Sequence, residues 1–409
     1  MVIRRLALAC LIALSLSAGC LRAGRHAPAA APRSTAPARG PEQPPTIAVR
    51  PLHKGGADLS TGVYIREDDD LVVNTPMPIV LRRTYNSGDR FPRQFGADTT
   101  HPGEWWIHGD GDRRVPWGEL ILANGGRIRF TRTSPGESHE GAVLRHDATP
   151  TEFNGALLSW TGSRWEMRFR DGGLAVFTEG SAARRSCALI ERRDPLGHQI
   201  AYTRDASGML LNMQSEGQSI AFDYDDHKRI TRAYDTSHRE VWYVYDDLGR
   251  LVRVTGSDGI VRDYEYDERD NLVGVREPGR ILRNWFDDDG RWVKQVLKFS
   301  EQDDDPYVAT VQYTVENGAI VQTDFDEGAG LTVYRYNEHN YIVSETQNAE
   351  GRAPIVFTYR LDPVSNASNG ATISCLGPSG PITQVVQELS AGDRLAKDAL
   401  IRQLCRRRN

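Results

Sequence analysis

Residues able to do chemistry are numerous in this sequence but seldom grouped. Hydrolysis needs two convergent carboxylates of separated proton affinity, or a nucleophile with a base and an orienting acid. The histidines at 101, 108, 139, 198, 227, 238 and 339 are scattered among turn-rich stretches with no linking pattern. His108 stands out, because Trp106, Asp110 and Asp112 place an aromatic and two carboxylates beside it; a structural turn is the expected reading. Acidic triplets stand at Asp68-Asp69-Asp70, Asp287-Asp288-Asp289 and Asp303-Asp304-Asp305. A calcium loop needs alternating oxygen ligands closed by a bidentate Glu, and none of the three has that spacing. Solvated turns are expected at all three. No phosphate-cradling glycine loop opens a helix. The expectation is a protein with no catalytic residue, no metal and no cofactor.

The cysteines carry a different chemistry. Arg4-Arg5, an apolar run from Leu6 to Leu16 and Ser17-Ala18-Gly19 precede Cys20, the three-part layout of an export signal. The run is too short for a permanent membrane span. Acylation of Cys20 after removal of residues 1–19 is one outcome and ordinary signal cleavage the other. An acylated Cys20 would anchor the chain stably, and the Pro- and Ala-rich stretch 20–45 would act as a semi-extended spacer. Beyond it, Cys187, Cys375 and Cys405 lack zinc-ligand spacing. In an exported protein Cys375 and Cys405 would staple the C-terminal segment and leave Cys187 free, the alternative being three reduced thiols.

The formal net charge is −5, with acids and bases interleaved, which argues against a nucleic-acid footprint. Arg406-Arg407-Arg408 is the only basic run beyond the leader and reads as a solvated tail.

The elements that must position these residues are strands. Tyr224-Asp225, Tyr245-Asp246, Tyr266-Asp267 and Phe286-Asp287 follow one another at intervals of 21, 21 and 20 residues, and Tyr336-Asn337 extends the series. So tight a period reports stacked supersecondary units. Each unit reads as aromatic-x-aromatic, Asp, a turn, then an alternating apolar strand, with Tyr243 to Gly259 the clearest copy. Tyr243 and Tyr245 share a face by strand alternation. Asp246 can cap its own turn, and Gly249 supplies the positive backbone angle that a tight turn needs. Seven copies run from Tyr202 to Ile342, with a partial one at Tyr359 and an inserted loop at 301–306. Thirteen of the fifteen tyrosines fall within the array, so they read as repeated parts of a lattice. An exposed aromatic ladder for sugar rings is the sharper alternative.

Upstream, residues 46–185 are strand-like without repetition. Gly118 to Phe130 reads as a hairpin around Asn124-Gly125, and Arg164 to Phe177 as another, with Trp165, Met167 and Phe169 on one face. Downstream, 363–409 reads as a loop at 366–370 and helical spacing at Val385, Leu389, Ala396, Leu400 and Leu404, with Asp393 as N-cap. Such a helix could cover the last strand edge.

Together, Asp58 to Gly62, Pro78 to Ser87, Phe95-Gly96 and Trp105, followed by the tyrosine-aspartate units, resemble bacterial Rhs proteins, whose YD repeats animal teneurins share. The resemblance covers about residues 50–362 and implies an all-β fold of antiparallel YD-repeat hairpins in a spiralling sheet. With only seven copies, that sheet would be a partial shell or barrel, followed here by a short C-terminal helical segment. The implied organisation is a leader at 1–19, a Cys-anchored linker at 20–45, an Rhs-type β domain at 46–185, the array at 186–362 and the tail at 363–409. The family's terminal self-cleavage motif has no counterpart after residue 362, and Asp194-Pro195-Leu196-Gly197 reads as the first repeat's turn. The expectation is a non-enzymatic, envelope-anchored scaffold offering a β surface to a protein or glycan partner; the alternative is an accessory or encapsulating component of an Rhs-type toxin system.

Overall fold

The computed structural model describes residues 56–89, 91–109, 115–179, 186–328, 330–348 and 352–405. The leader, Cys20, the spacer, Asp110, Asp112 and the arginine run at 406–408 lie outside the described residues. The fold is all-β and antiparallel, with one short helix, Arg394–Leu404. No described helix is long and apolar enough to cross a membrane.

Eight consecutive strands from Trp106–Gly109 to Ser186–Arg193 close into a ring. The closing seam pairs Ser186 with His108, Cys187 with Ile107 and Ala188 with Trp106. Alternation drives this closure: Leu120, Ile128, Phe130, Leu158 and Met167 are buried among themselves, and a ring of eight strands is just wide enough for side chains to fill. The Asn124-Gly125 hairpin forms as its sequence predicts, with Glu119 opposite Arg129 and the turn closed by Leu122 and Gly126. Closure of the ring upstream of the repeats was not legible from the period.

Ser186–Arg193 is long enough to serve twice. Its first half closes the ring, and its second half pairs with Gln199–Arg204 and starts an antiparallel strip that runs to Gly380–Val386. Strand pairs within the strip are joined by the YD turns on one rim and by shorter turns or loops on the other. The register shifts at each motif, between Asp223 and Tyr224, Val244 and Tyr245, Glu265 and Tyr266, and Trp285 and Phe286. Such bulges add local twist and leave a ladder N–H unpaired.

The inner face of the strip is covered by the chain's own N-terminal segment. The hairpin Val63–Val73 with Ile79–Asn86, and the loop that follows it to Glu104, pack against the strands between Tyr202 and Phe325 in one core. The C-terminal region departs from the sequence reading. Residues 368–377 and 380–386 are two further strands of the strip, not a loop and the start of a helix. Ile382 and Val386 satisfy helical spacing and strand alternation equally well; Gly377 to Gly380 supply the hairpin that decides it. The helix is confined to Arg394–Leu404, and Asp393 makes no side-chain cap. It lies on a small second core of Phe357, Tyr359, Ile373 and Leu389. Cys375 and Cys405 are joined there, with their Cα atoms 5.8 Å apart.

Candidate functional site

The YD turn is an acid-centred clasp. Asp246 Oδ1 accepts the N–H of Leu248 at 3.0 Å and of Arg250 at 2.9 Å, and Oδ2 accepts Arg250 Nε at 2.7 Å. Partial burial opposes ionisation, but the Arg250 N–H and guanidinium outweigh it and hold this carboxyl below its ordinary range. Asp225, Asp267 and Asp287 accept the same two N–H groups, and so does Asn337. At the Gly249 position, where φ is 81°, the other copies hold Lys228 at 64°, Asp270 at 64°, Gly290 at 77° and Asn340 at 62°. The backbone conformation is therefore kept even where the glycine is not.

The motif tyrosines stitch neighbouring units together. Tyr245 Oη donates to the Ile230 carbonyl at 2.6 Å, Tyr266 Oη to Leu251 at 2.9 Å, Tyr224 Oη to Leu210 at 2.6 Å and Tyr313 Oη to Trp292 at 2.6 Å. Phe286 has no hydroxyl to give. In its unit Asn284 Nδ2 reaches the corresponding Leu272 carbonyl at 3.1 Å, and Asn284 Oδ1 accepts Trp292 Nε1 at 3.1 Å and Gln295 Nε2 at 2.9 Å. The tyrosines are thus consumed within the lattice, and no exposed tyrosine ladder forms.

The N-terminal segment satisfies three of the N–H groups that the bulges strand. Ile230 N–H donates to Gln94 O at 2.7 Å, Leu272 N–H to Tyr85 Oη at 3.0 Å and Trp292 N–H to Gly62 O at 2.8 Å. Approach is so close that a Cβ on Gly62 would lie 2.6 Å from Arg291 Cβ, and one on Gly96 would lie 2.5 Å from the Gly249 carbonyl oxygen.

Asp68-Asp69-Asp70 corrects the expectation of a solvated turn. The triplet lies in strand Val63–Val73, and a register shift between Asp69 and Leu71 turns Asp70 inward. Asp70 meets Arg83 in two bonds of 2.9 and 3.1 Å, with both side chains almost wholly buried. Tyr243 Oη donates to Asp70 at 3.0 Å, Arg83 donates to Tyr264 Oη at 2.9 Å, and Arg66 holds Asp68 in two bonds of 2.8 Å. Burial lifts the Tyr264 phenol to about 12. Burial also opposes ionisation of Asp68, but Arg83 and Arg66 keep its carboxyl below the ordinary range. The signal was present as an acid run followed by Arg82-Arg83 across the Thr75-Pro76 turn. The other two triplets are exposed turns as expected, Asp288 fully so.

A second buried polar group lies where inner segment, ring and strip meet. His101 Nδ1 accepts the Gly103 N–H at 3.2 Å, which leaves Nε2–H to donate to Gln94 Oε1 at 2.9 Å. Tyr224 Oη, whose proton goes to Leu210, lies 3.1 Å from the same Gln94 oxygen. Glu104 accepts Gln94 N–H at 3.4 Å through one oxygen; its other oxygen has no hydrogen-bond partner among the described residues. Burial raises the Glu104 carboxyl to about 7 and pushes the His101 imidazole down to about 3, helped by Arg204 and Arg93. An acid and a base sit close in sequence here, and both are buried. His108 is in a strand rather than a turn, tilted against Trp117 with ring centres 6.4 Å apart.

What remains accessible is the outer face. Trp242, just before the Tyr243-Val244-Tyr245 run, and Trp285, between Asn284 and Phe286, are 48% and 44% exposed. Arg232 lies over Trp242 at 5.3 Å, and Lys294 over Trp285 at 5.0 Å. Period-two alternation locates both tryptophans outside, a signal the focus on tyrosine passed over. Between them run cross-strand ion pairs, Arg253 with Asp263 and Glu265 with Arg283. At the rim opposite the YD turns, Asp263, Arg276, Arg280 and exposed Phe299 line a shallow cleft of about 520 Å³. No group of His, Cys, Asp or Glu among the described residues could hold a metal ion.

Two family models match the chain: RHS Repeat over residues 245–281 and Domain of unknown function (DUF6531) over residues 57–130. No curated protein matches. Among solved structures, one described as TcdB2-TccC3 without hypervariable C-terminal region is similar at 9% identity and a TM-score of 0.33, covering 81% of this chain and 25% of that one. Another, described as TcdB2-TccC3-Cdc42, is similar at 9% identity and a TM-score of 0.30, covering 75% and 23%. The chain spans about a quarter of the length of these solved chains.

Proposed function

We propose, from the premise that this chain belongs to the Rhs/YD-repeat family, that it is a non-catalytic scaffold of the cell envelope. In this reading Cys20 carries the lipid anchor, residues 20–45 lift the folded part from the membrane, and the outer face of the strip binds a protein or glycan partner. The observation that carries the reading is the use of the interior. The ring is filled by its own apolar side chains, and the inner face of the strip by residues 57–104. Motif tyrosines, motif acids and the buried ion pairs are all committed to holding the lattice. The same filling disfavours enclosure of a second polypeptide within the described strands. Chemistry left for a partner lies outside: two half-exposed indoles, each beside a cation, on a rigid and ion-paired surface. Aromatic anchors of this kind dominate protein interfaces and stack on sugar rings.

The test is capture from envelope extract by the full chain, beside a broad glycan array, with Trp242→Ala/Trp285→Ala run in parallel. Capture lost in the double variant at unchanged thermal stability supports the reading; equal capture by both proteins, or none by either, refutes it. Mass spectrometry of the mature N-terminus tests the anchor, and an unmodified first residue other than Cys20 would overturn that part alone.

A further inference from the structure

The strip has one edge left open. Its first strand is committed to the ring, and its last, Gly380–Val386, pairs on one side with Ser368–Gly377. On the other side it makes no hydrogen bond among the described residues. Natural edge strands are protected by charge, by shortness, by Pro or by a covering element. This strand, Gly-Pro-Ile-Thr-Gln-Val-Val, carries no charge. The helix does not cover its edge: it lies over the inner face, where Ile382 and Val386 join the second core. Helix and strand are held in that relation by the Cys375–Cys405 disulfide and by Lys397, whose Nζ meets Glu345 at 2.6 Å in a buried pair. Among the described residues the edge is thereby left uncovered.

The outer surface leading to this edge also changes character. The repeats upstream are laced with cross-strand ion pairs, whereas the last strands align Ser344, Thr358, Thr372 and Val385 in one row. Ser374 and Thr383 pair in the next row, with their hydroxyls 3.3 Å apart. Nothing in these rows repels a copy of itself. Pro381 is the single protective device, and it also fixes the parity. A proline in a strand costs no ladder bond only where its nitrogen faces the open side. Alternation then directs the N–H and C=O of Thr383 and Val385 to the open side as well.

We propose that Gly380–Val386 pairs antiparallel with the same strand of a second copy of this chain, about a two-fold axis at Gln384. Thr383 of each copy then opposes Val385 of the other, and both pairs exchange backbone hydrogen bonds. Gln384 faces its own counterpart as the non-hydrogen-bonded pair between them. One open edge per chain closes in such a dimer and leaves none over, as an isologous contact requires. The uncharged sequence places no like charges opposite one another, which hairpin-type pairing would not tolerate. The outer faces of the two strips become one continuous surface, independent of which partner that surface takes.

The test places a cysteine on the axis. Non-hydrogen-bonded pairs bring Cα atoms near enough for a disulfide, and Gln384 is exposed. Full-length Gln384→Cys, oxidised in intact cells beside wild type and a Thr310→Cys control at another exposed strand position, should give a reducible dimer band on non-reducing gels that neither control gives. Val385→Pro removes an outward N–H only. Introduced into Gln384→Cys, it should abolish the band while the purified protein keeps its unfolding temperature. A Gln384→Cys chain that stays monomeric, or that cross-links no more than Thr310→Cys, overturns the proposal and leaves the edge for a strand of a different protein.

Discussion

Substitution of Glu104 should expose a pH dependence that the intact protein conceals. The unfolded chain titrates this carboxyl near 4.5, the folded protein near 7. The folded form therefore holds the proton more tightly, so the contribution is fully present below pH 4.5 and is lost as pH rises through 7. Each pKa unit is worth about 1.4 kcal/mol, so raising the pH from about 5 to about 8 removes roughly 2 to 3 kcal/mol. His101 works in the opposite direction. Its folded value is near 3 against 6.5 unfolded, so protonation of the unfolded chain costs stability below 6.5. That cost, about 2 kcal/mol near pH 5, disappears by about pH 8. In wild type the two slopes nearly cancel across this window. Urea unfolding of Glu104→Gln should show stability rising by about 2 kcal/mol from pH 5 to 8, the His101 contribution alone. His101→Gln should show stability falling by a similar amount over the same range. The guanidinium groups of Arg93 and Arg204 beside the pair stay charged throughout this range in all three proteins and drop out of the differences. Parallel profiles for wild type and Glu104→Gln would refute the reasoning, because they would place Glu104 in water or in a compensating bond.

Three further outcomes follow from the lattice. Tyr245→Phe removes one bond to the Ile230 carbonyl and should cost about 1 kcal/mol in denaturant unfolding, whereas Asn284→Ala orphans three partners at once and should cost about 2 to 4. Lys228 holds φ 64°, a conformation that costs an L-residue about 1 kcal/mol; Lys228→Gly should raise stability by up to that amount, while Gly249→Ala lowers it. Arg83→Met strands the buried Asp70 carboxylate and should cost about 3 to 5 kcal/mol, against less than about 1 for Arg82→Met at the exposed pair with Asp69.

The repeats were legible because each is specified locally. The Asp246 clasp needs only the N–H groups two and four residues on, so a 21-residue period carries both the turn and its acid. Strand alternation likewise puts Tyr243 and Tyr245 on a common face, and the same rule sets Trp242 on the other. What the sequence hid is long-range. Arg83 meets Tyr264 across 181 residues and Thr323 meets Leu59 across 264, and no local pattern encodes such partners. Asp68-Asp69-Asp70 misled for that reason: an acid run looks solvated until its partner strand is known. Residues 382–386 misled differently, since apolar spacing of three and four fits a helix as well as a strand until the hairpin at Gly377–Gly380 is weighed.

The division of labour along the chain also differs from the division of its composition. Residues 46–185 look like one non-repetitive β domain, yet their two halves do separate work. Residues 105–179 build the wall of the ring, while 57–104 lie against the repeats and supply what the bulges lack. A bulge at every motif gives the strip its twist, and each one removes a ladder partner from the strand that follows. Left to itself the array would carry those N–H groups at 230, 272 and 292 unpaired beside a bare apolar face, at a cost of about 1 to 3 kcal/mol for each orphaned group. Gln94, Tyr85 and Gly62 answer them in descending chain order as the repeats ascend, so the inner segment runs antiparallel to the progress of the strip. A YD array of this length is thus completed by the segment that precedes it. With interior donors, acceptors and apolar area consumed in that closure, the partner proposed above would have to bind at the outer face or the open edge.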